Sequence, residues 1–352
     1  MIDIKSFVKK EVKELKPYHI ENTPCRIKLD AMENPYPLSE ALMKKVVEGI
    51  KGIKINRYPD PLASRLKDII SLHVKTPVDN IIIGNGSDEL IQLILTAFGG
   101  HGDRVLLPIP TFSMYGIIAM SLSLMPEGVF LGKNWALPLD KFLSNMERIK
   151  PKVIFISYPN NPTGNSFDKE SILKVLEKAT GIVVIDEAYY DFSRKTFLPY
   201  LKECKNLIIL RTLSKIGMAG LRVGYLMADK EICQELNKVR LPYNSNALSQ
   251  EISSIILENR TEIQKQIGAI ISERDKLMEG LKEIKGIEPY PSETNFILFK
   301  VDRNSKEVFD RLSDNGILIR NFGNDNYLKD CLRVTVGTHD ENNEFLDTIR
   351  KL

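Results

Sequence analysis

Lys215 lies in Arg211-Thr-Leu-Ser-Lys-Ile-Gly-Met-Ala-Gly-Leu-Arg222, directly after the apolar run Leu207 to Leu210. The chain leaves a buried strand there, turns, and presents one amine where a helix is about to begin. An amine so placed can form a Schiff base with an aldehyde cofactor. Ser214 and Arg222 beside it could hold a phosphate. The ordinary alternative is a surface lysine, but Ser214, Ile216 and Gly217 are small or apolar neighbours. Upstream, Asp186 ends the strongly apolar stretch Ile182-Val-Val-Ile-Asp186. A carboxylate in that place is costly unless it meets a cation, or unless it caps the next helix.

Two loops complete the chemistry. Gly84-Asn-Gly-Ser-Asp-Glu89 follows a β-branched strand and opens a helix. Its bare N–H groups and the helix dipole make an anion site. Read alone it is an ordinary glycine turn with Ser87 or Asp88 as N-cap; with Lys215 and Arg222 in the same chain, the phosphate cup is the better reading. It is no dinucleotide fingerprint, because Glu89 replaces the third glycine. Tyr158-Pro-Asn-Asn-Pro-Thr-Gly164 comes after the strand Val153 to Ser157. Two prolines there stiffen a polar loop at a strand's carboxyl end, where α/β sheets place ligands. Gly128-Val-Phe-Leu-Gly-Lys133 is one residue short of a P-loop and is set aside.

In this order, Asn161-Pro-Thr-Gly164, Ile182 to Asp186 with Glu-Ala-Tyr189, and the Lys215 segment resemble the fold type I aminotransferases that use pyridoxal 5′-phosphate (PLP). The resemblance runs over nearly the whole chain and is nearest to the histidinol-phosphate aminotransferases. It implies cofactor contacts from Gly86, Ser87, Asp88, Phe112, Asn161, Asp186, Tyr189, Thr212, Ser214, Lys215 and Arg222, with Lys215 catalytic. Asp186 would pair with the pyridine nitrogen, and Asn161 and Tyr189 with the phenolic oxygen. Phe112 stands where the family stacks an aromatic ring, commonly Tyr; Tyr115 is the other candidate. Arg222 lies seven residues beyond Lys215 rather than the usual eight, which tightens the loop.

The resemblance also implies a substrate pocket of Arg333, Arg320, Tyr18, Asn161 and Tyr58, with Tyr58 reaching across from the other subunit of a homodimer; Arg57 could serve in its place. Two arginines and tyrosine hydroxyls suit a dianionic phosphomonoester. The implied reaction moves an amino group between histidinol phosphate and 2-oxoglutarate, in the cytoplasm. An aromatic amino acid aminotransferase and a threonine-phosphate decarboxylase share the expected fold. A PLP-binding regulator would need a DNA-binding domain for which the chain has no spare residues, and a bare phosphate-binding protein would leave Lys215 and Asp186 unexplained.

The elements that must hold these residues follow from the apolar pattern. Short apolar runs at Ile81–Ile83, Arg104–Leu107, Val153–Ser157, Ile182–Ile185, Leu207–Leu210 and Val223–Met227 alternate with helical patterns. That is the signature of an α/β fold, a mostly parallel sheet with helices on both faces. After Pro242 a long charged helical stretch from Ser249 to Ile284 leads into short strands near 295–299, 317–320 and 332–335, a smaller α+β domain. The expected division is an arm at 1–37 that joins the smaller domain or a partner subunit, a large cofactor-binding domain at 38–245, and the small domain at 246–352. A length of 352 residues with 43% apolar content allows large cores. A net charge of +3, mixed along the chain, gives no sign of a nucleic-acid groove. No apolar stretch is long enough for a bilayer, and the N-terminus lacks a hydrophobic signal core. Cys25, Cys204, Cys233 and Cys331 are scattered, which suits free thiols in a reducing compartment; the four histidines show no metal-ligand spacing, so no metal is expected.

Overall fold

The computed structural model describes residues 2–17, 24–323 and 325–352. Among them are thirteen strands: β1 Ile27–Lys28, β2 Ile81–Gly84, β3 Arg104–Ile109, β4 Met125–Phe130, β5 Val153–Ser157, β6 Ile182–Asp186, β7 Leu207–Thr212, β8 Gly224–Ala228, β9 Ile287–Pro289, β10 Phe296–Val301, β11 Ile317–Leu318, β12 Arg320–Asn321 and β13 Cys331–Thr335. Seven form one sheet in the order β2-β8-β7-β6-β5-β3-β4. The pairs from β7 through β4 are parallel, and β8 runs antiparallel to both its neighbours. The fold is therefore the expected α/β arrangement.

Side-chain alternation explains why the sheet needs cover on both sides. Val105, Val153, Phe155, Val184, Ile208, Leu210 and Leu226 join one buried cluster, against the helices Ser87–Phe98, Met114–Ser121 and Lys230–Val239. The residues between them, Leu106, Ile154, Ile156, Val183, Ile185, Ile209 and Met227, join the other. There they meet Phe142 and Met146 of the helix Leu139–Ile149 and Ile172, Val175 and Leu176 of Lys169–Lys178. Each central strand is sealed on both faces. A polar side chain survives only where a strand ends.

β4 carries no apolar run, because Pro126, Glu127 and Gly128 break its pattern. It forms because it is an edge strand, parallel to β3 and needing partners on one side only. The long helical stretch expected from Ser249 to Ile284 is two helices, Ala247–Glu258 and Arg260–Lys282. Asn259 breaks it: its side-chain amide donates to the carbonyl of Ile255 at 2.8 Å and its Oδ1 accepts from Lys45 at 2.6 Å. Asparagine here competes with the helix for its own hydrogen bonds. The first of the two helices packs against Glu40–Lys51 and Ser64–Val74, and the second against His339–Arg350.

β12-β13-β10-β9 form a four-stranded antiparallel sheet. β1 lies parallel beside β11, so the N-terminal segment threads back to this part of the chain. The backbone of Leu29 continues the link by accepting from the N–H of Thr335 at 2.8 Å.

At the carboxyl edge of the large sheet, Gly224 of β8 backs directly onto the start of the helix Ser87–Phe98. A Cβ there would lie 2.6 Å from the backbone nitrogen of Ser87 and 2.7 Å from the carbonyl carbon of Gly86. Neither can move without the helix. Gly224→Ala should therefore destabilise the fold by about 1–3 kcal/mol, an overpacking penalty, measured by urea unfolding of the cofactor-free protein.

Candidate active site

β5, β6 and β7 all point their carboxyl ends the same way, so the loops that follow them converge. A cleft of about 520 Å³ opens at that edge, walled by Ser87, Asp88, Phe112, Tyr115, Ser157, Asn161, Asp186, Tyr189, Thr212, Ser214, Lys215 and Arg222, with Met32 and Ala188. Eleven sites were expected to contact a cofactor, and ten of them line this one cleft. The eleventh, Gly86, caps the helix at its rim.

The floor is Asp186. It is 3% exposed, and burial pushes its carboxyl up to about 6. Two donors hold it: Tyr115 Oη reaches Oδ2 at 2.7 Å and the Ala188 N–H reaches Oδ1 at 3.0 Å. Lys215 faces it across the cleft, with Nζ 3.3 Å from the carbonyl of Ala31. Burial, and then the guanidinium of Arg333, bring the Lys215 amine down to about 8. A desolvated lysine with that pKa can be a neutral nucleophile or base near physiological pH.

One end of the cleft is built for an anion. The helix Ser87–Phe98 begins at Gly86, whose φ of +85° only glycine adopts readily, and no side chain caps its first turn. Gly86 is thus the N-cap, in place of the Ser87 or Asp88 of an ordinary glycine turn. The first N–H groups face the cleft with the positive end of the helix dipole. Arg222 closes the same end. Its Nη2 is 3.1 Å from Asp88 Oδ2, and a Cβ on Gly86 would fall 2.8 Å from that nitrogen. The shortened loop from Lys215 reaches this point through two turns of 3-10 helix, Ser214–Ile216 and Ala219–Leu221, with left-handed backbone at Gly217 and Arg222. Thr212 and Ser214 join their hydroxyls at 2.9 Å beside it.

The opposite wall carries a relay of polar groups. Asn161 Nδ2 donates to Tyr189 Oη at 3.2 Å, and Arg333 Nη1 donates to Asn161 Oδ1 at 2.6 Å. Arg333 Nη2 reaches the carbonyl of Asp30 at 2.9 Å, and its guanidinium lies 5.1 Å from the ring of Phe296 and 5.4 Å from that of Phe322. Arg320 is the cross-strand neighbour of Arg333 in the β12–β13 pair, so the two project from one face. Its guanidinium is 6.0 Å from the Phe322 ring.

One expected residue, Tyr58, stands apart from this group. Tyr58 is 80% exposed and stacks on Tyr243 at 4.5 Å, in a groove shared with Arg57 and Arg65. Tyr18 lies outside the described residues. Between the two candidate aromatic rings, the geometry separates the roles. Both touch the cleft, but Phe112 is only half-buried, whereas Tyr115 is fully buried, with its ring stacked on Phe155 and its hydroxyl spent on Asp186. The Tyr115–Asp186 bond has no signature in the sequence, since the partners are far apart along the chain. The same is true of Met32 and Ala31, which the N-terminal segment brings to Tyr189 and Lys215.

The donor set fits PLP. A glycine-lipped helix terminus with Arg222 matches a phosphate, a buried carboxylate matches a ring nitrogen that carries a proton, and an amine stands between them. Among the described residues no group of His, Cys, Asp and Glu gathers that could hold a metal ion.

The class I and II aminotransferase family model matches residues 26–349. The histidinol-phosphate aminotransferase of Caldanaerobacter subterraneus subsp. tengcongensis is 43% identical over 350 residues, covering 99% of each chain. That of Aquifex aeolicus is 38% identical over 345 residues, covering 98% of this chain and 97% of its own. The crystal structure of the Clostridium acetobutylicum histidinol-phosphate aminotransferase superposes with a TM-score of 0.85 at 26% identity, over 92% of this chain and 98% of that one. The chain belongs to the class I and II aminotransferases and, within them, to the histidinol-phosphate aminotransferases.

Proposed function

We propose that the protein transfers an amino group between L-histidinol phosphate and 2-oxoglutarate with PLP as cofactor, as a step in histidine biosynthesis. One observation carries this reading: Lys215 and Asp186 face a single cleft from the ends of adjacent strands, with Arg333 joined to its wall through Asn161. Relatives of that name at about 40% identity over the full chain support the same substrate.

The anion cup of Ser87, Asp88, Ser214 and Arg222 would hold the cofactor phosphate, Asp186 its ring nitrogen, Asn161 and Tyr189 its phenolic oxygen, and Phe112 one face of its ring. Bound PLP supplies an electrophilic carbon for the substrate amine and a ring that accepts the electron pair left when the neighbouring carbon loses its proton. Everything else is work for the chain. Asp186 keeps the ring nitrogen protonated, because a buried carboxylate favours any cation that reaches it. The Lys215 amine takes the proton from the amine-bearing carbon and returns one on the other side of the transfer. Arg333 receives the phosphate of histidinol phosphate in one half-reaction and a carboxylate of the oxo acid in the other, and Arg320 adds a second charge for the dianion.

The exposed side chains fit a homodimer. Ile55, Tyr58 and Leu62 in one segment and Leu241, Tyr243 and Leu248 in another lie open to solvent, and the Tyr58–Tyr243 stack joins the two segments. A second copy covering them would carry Tyr58 toward its own substrate pocket. Among the described residues no helix is long and apolar enough to cross a membrane, and the four cysteines are unpaired; a cytoplasmic enzyme accords with both.

Titration of the purified protein with histidinol phosphate should bleach the visible absorption of the bound cofactor, and 2-oxoglutarate should restore it. Bleaching by aromatic amino acids alone would reject the substrate and keep the chemistry. Lys215→Ala should remove turnover and the visible band together; a coloured, active variant would overturn the role of this lysine. Arg333→Lys retains the charge but loses the two-pronged donor set. It should raise KM for histidinol phosphate by about 10–100-fold with a smaller change in kcat, as expected for lost charge-assisted hydrogen bonds.

A further inference from the structure

Tyr115 has a task that neither the cofactor contacts nor core packing accounts for. Its ring is clamped, stacked on Phe155 at 4.6 Å with 9° between planes and met edge-on by Phe112 at 5.4 Å. The clamp aims the hydroxyl at one atom, Asp186 Oδ2, 2.7 Å away. Ala188 N–H holds the other oxygen. A carboxylate offers about four acceptor directions, so two bonds from behind leave each oxygen one direction open, and Asp186 still borders the cleft. Phe112 and Tyr115 are three residues apart at the start of the helix Met114–Ser121. One short segment thus presents a ring to the cleft and a hydroxyl to the carboxylate below it.

We propose that Tyr115 is a positioning residue for Asp186: its hydroxyl fixes the carboxylate's orientation and favours the ionised form that the cofactor's ring nitrogen requires. A charged carboxylate without donors is disfavoured in a dry site, and a charge-assisted O–H···O bond offsets part of that cost. The phenol itself stays protonated, because burial and the adjacent carboxylate raise it well above its ordinary value. It therefore donates across the working pH range. The other groups that face this carboxylate act against ionisation or lie beyond it. Asp88 opposes it from the helix Ser87–Phe98, as does Glu187, which points to the other face of the sheet and pairs with Arg211. Ser157 and Tyr189 act on the phenol, and Lys215 with Arg222 stands across the cleft.

The proposal rests on the cofactor reading for its consequence, not for its test. The first measurement is urea unfolding of cofactor-free protein against pH, for the wild type and for Asp186→Asn. A carboxyl whose folded pKa is raised, here to about 6 from 3.8, contributes stability at low pH that is lost as pH rises through the folded value. The wild type should therefore lose stability relative to Asp186→Asn between about pH 4 and 6 and level off above. In a Tyr115→Phe background that levelling point should move up by about one pH unit or more, the effect of removing a hydrogen bond to a charged group. A uniform loss of stability with the levelling point unmoved means Tyr115 only packs, and overturns the proposal. If Tyr115→Phe does not fold, 3,5-difluorotyrosine at position 115 is the substitute. Its more acidic hydroxyl is a stronger donor, so the point should move down; no movement overturns the proposal equally.

The second measurement is PLP affinity of the same proteins by absorbance titration. Tyr115→Phe should bind about tenfold more weakly, the equivalent of one charge-assisted hydrogen bond. Unchanged affinity in a variant whose levelling point has moved would overturn the role toward the cofactor. A wild type that binds no PLP would remove the cofactor reading and that role with it, while leaving the Tyr115–Asp186 coupling measured on its own.

Discussion

Asp186 is the constraint around which the rest is arranged. It ends the central strand of a sheet sealed by apolar side chains on both faces, where an ion is disfavoured by several kcal/mol unless the surroundings compensate. The compensation is specific. A phenol and a backbone N–H hold the carboxylate from behind, and a cofactor cation would complete it from the front. The floor of the site is thus the place where the core tolerates a charge, and the tolerance is local to the strand's last residue.

The next residue shows the same logic on the other face. Glu187 is 1% exposed, yet it accepts from Arg211 Nε and Nη2 at 3.0 and 2.8 Å, from the Phe197 N–H at 2.7 Å and from the hydroxyl of Thr196. Arg211 in turn lies 3.5 Å from the ring of Tyr190. Burial raises the Glu187 carboxyl and the guanidinium of Arg211 opposes that effect. This buried pair ties the end of β6 to the end of β7, and these are the strands that deliver Asp186 and Lys215. Its contribution is better understood as register than as stability, since a buried ion pair seldom exceeds an apolar pair of equal volume.

The anion end depends on backbone rather than side chains. Gly86 leaves the helix start bare, Gly224 lets the neighbouring strand approach it, and the left-handed turn at Arg222 brings a guanidinium over it. Each of these is a matter of small volume or positive φ. The shortened spacing between Lys215 and Arg222 is absorbed here without loss of the contact, because two 3-10 turns cover the distance.

The residues proposed to carry the chemistry were legible in the sequence because each sits in a short segment whose neighbours announce a strand end: an apolar run, then Asp186, or Asn161, or Lys215. Strand ends on one side of a parallel sheet lie along one edge, so local pattern placed these residues there, and the family resemblance implied that they share one site. The broken helix at Asn259 and the edge strand β4 were not legible, since one depends on a side chain competing with its own backbone and the other on having a single neighbour. Nor could pattern tell Phe112 from Tyr115. Both are aromatic and stand three residues apart on one segment, and only packing against Phe155 and Asp186 sends one ring to the cleft and the other beneath it. The sequence by itself determined the fold class, the amine, the carboxylate and the anion loop, because those follow from periodicity and residue type. The tertiary structure alone decided what surrounds them: which oxygen of Asp186 meets Tyr115, that Arg333 reaches Asn161, and that Ala31 and Met32 return from the N-terminal segment. Contacts between residues so distant along the chain are set by how the layers pack, and no local pattern encodes them.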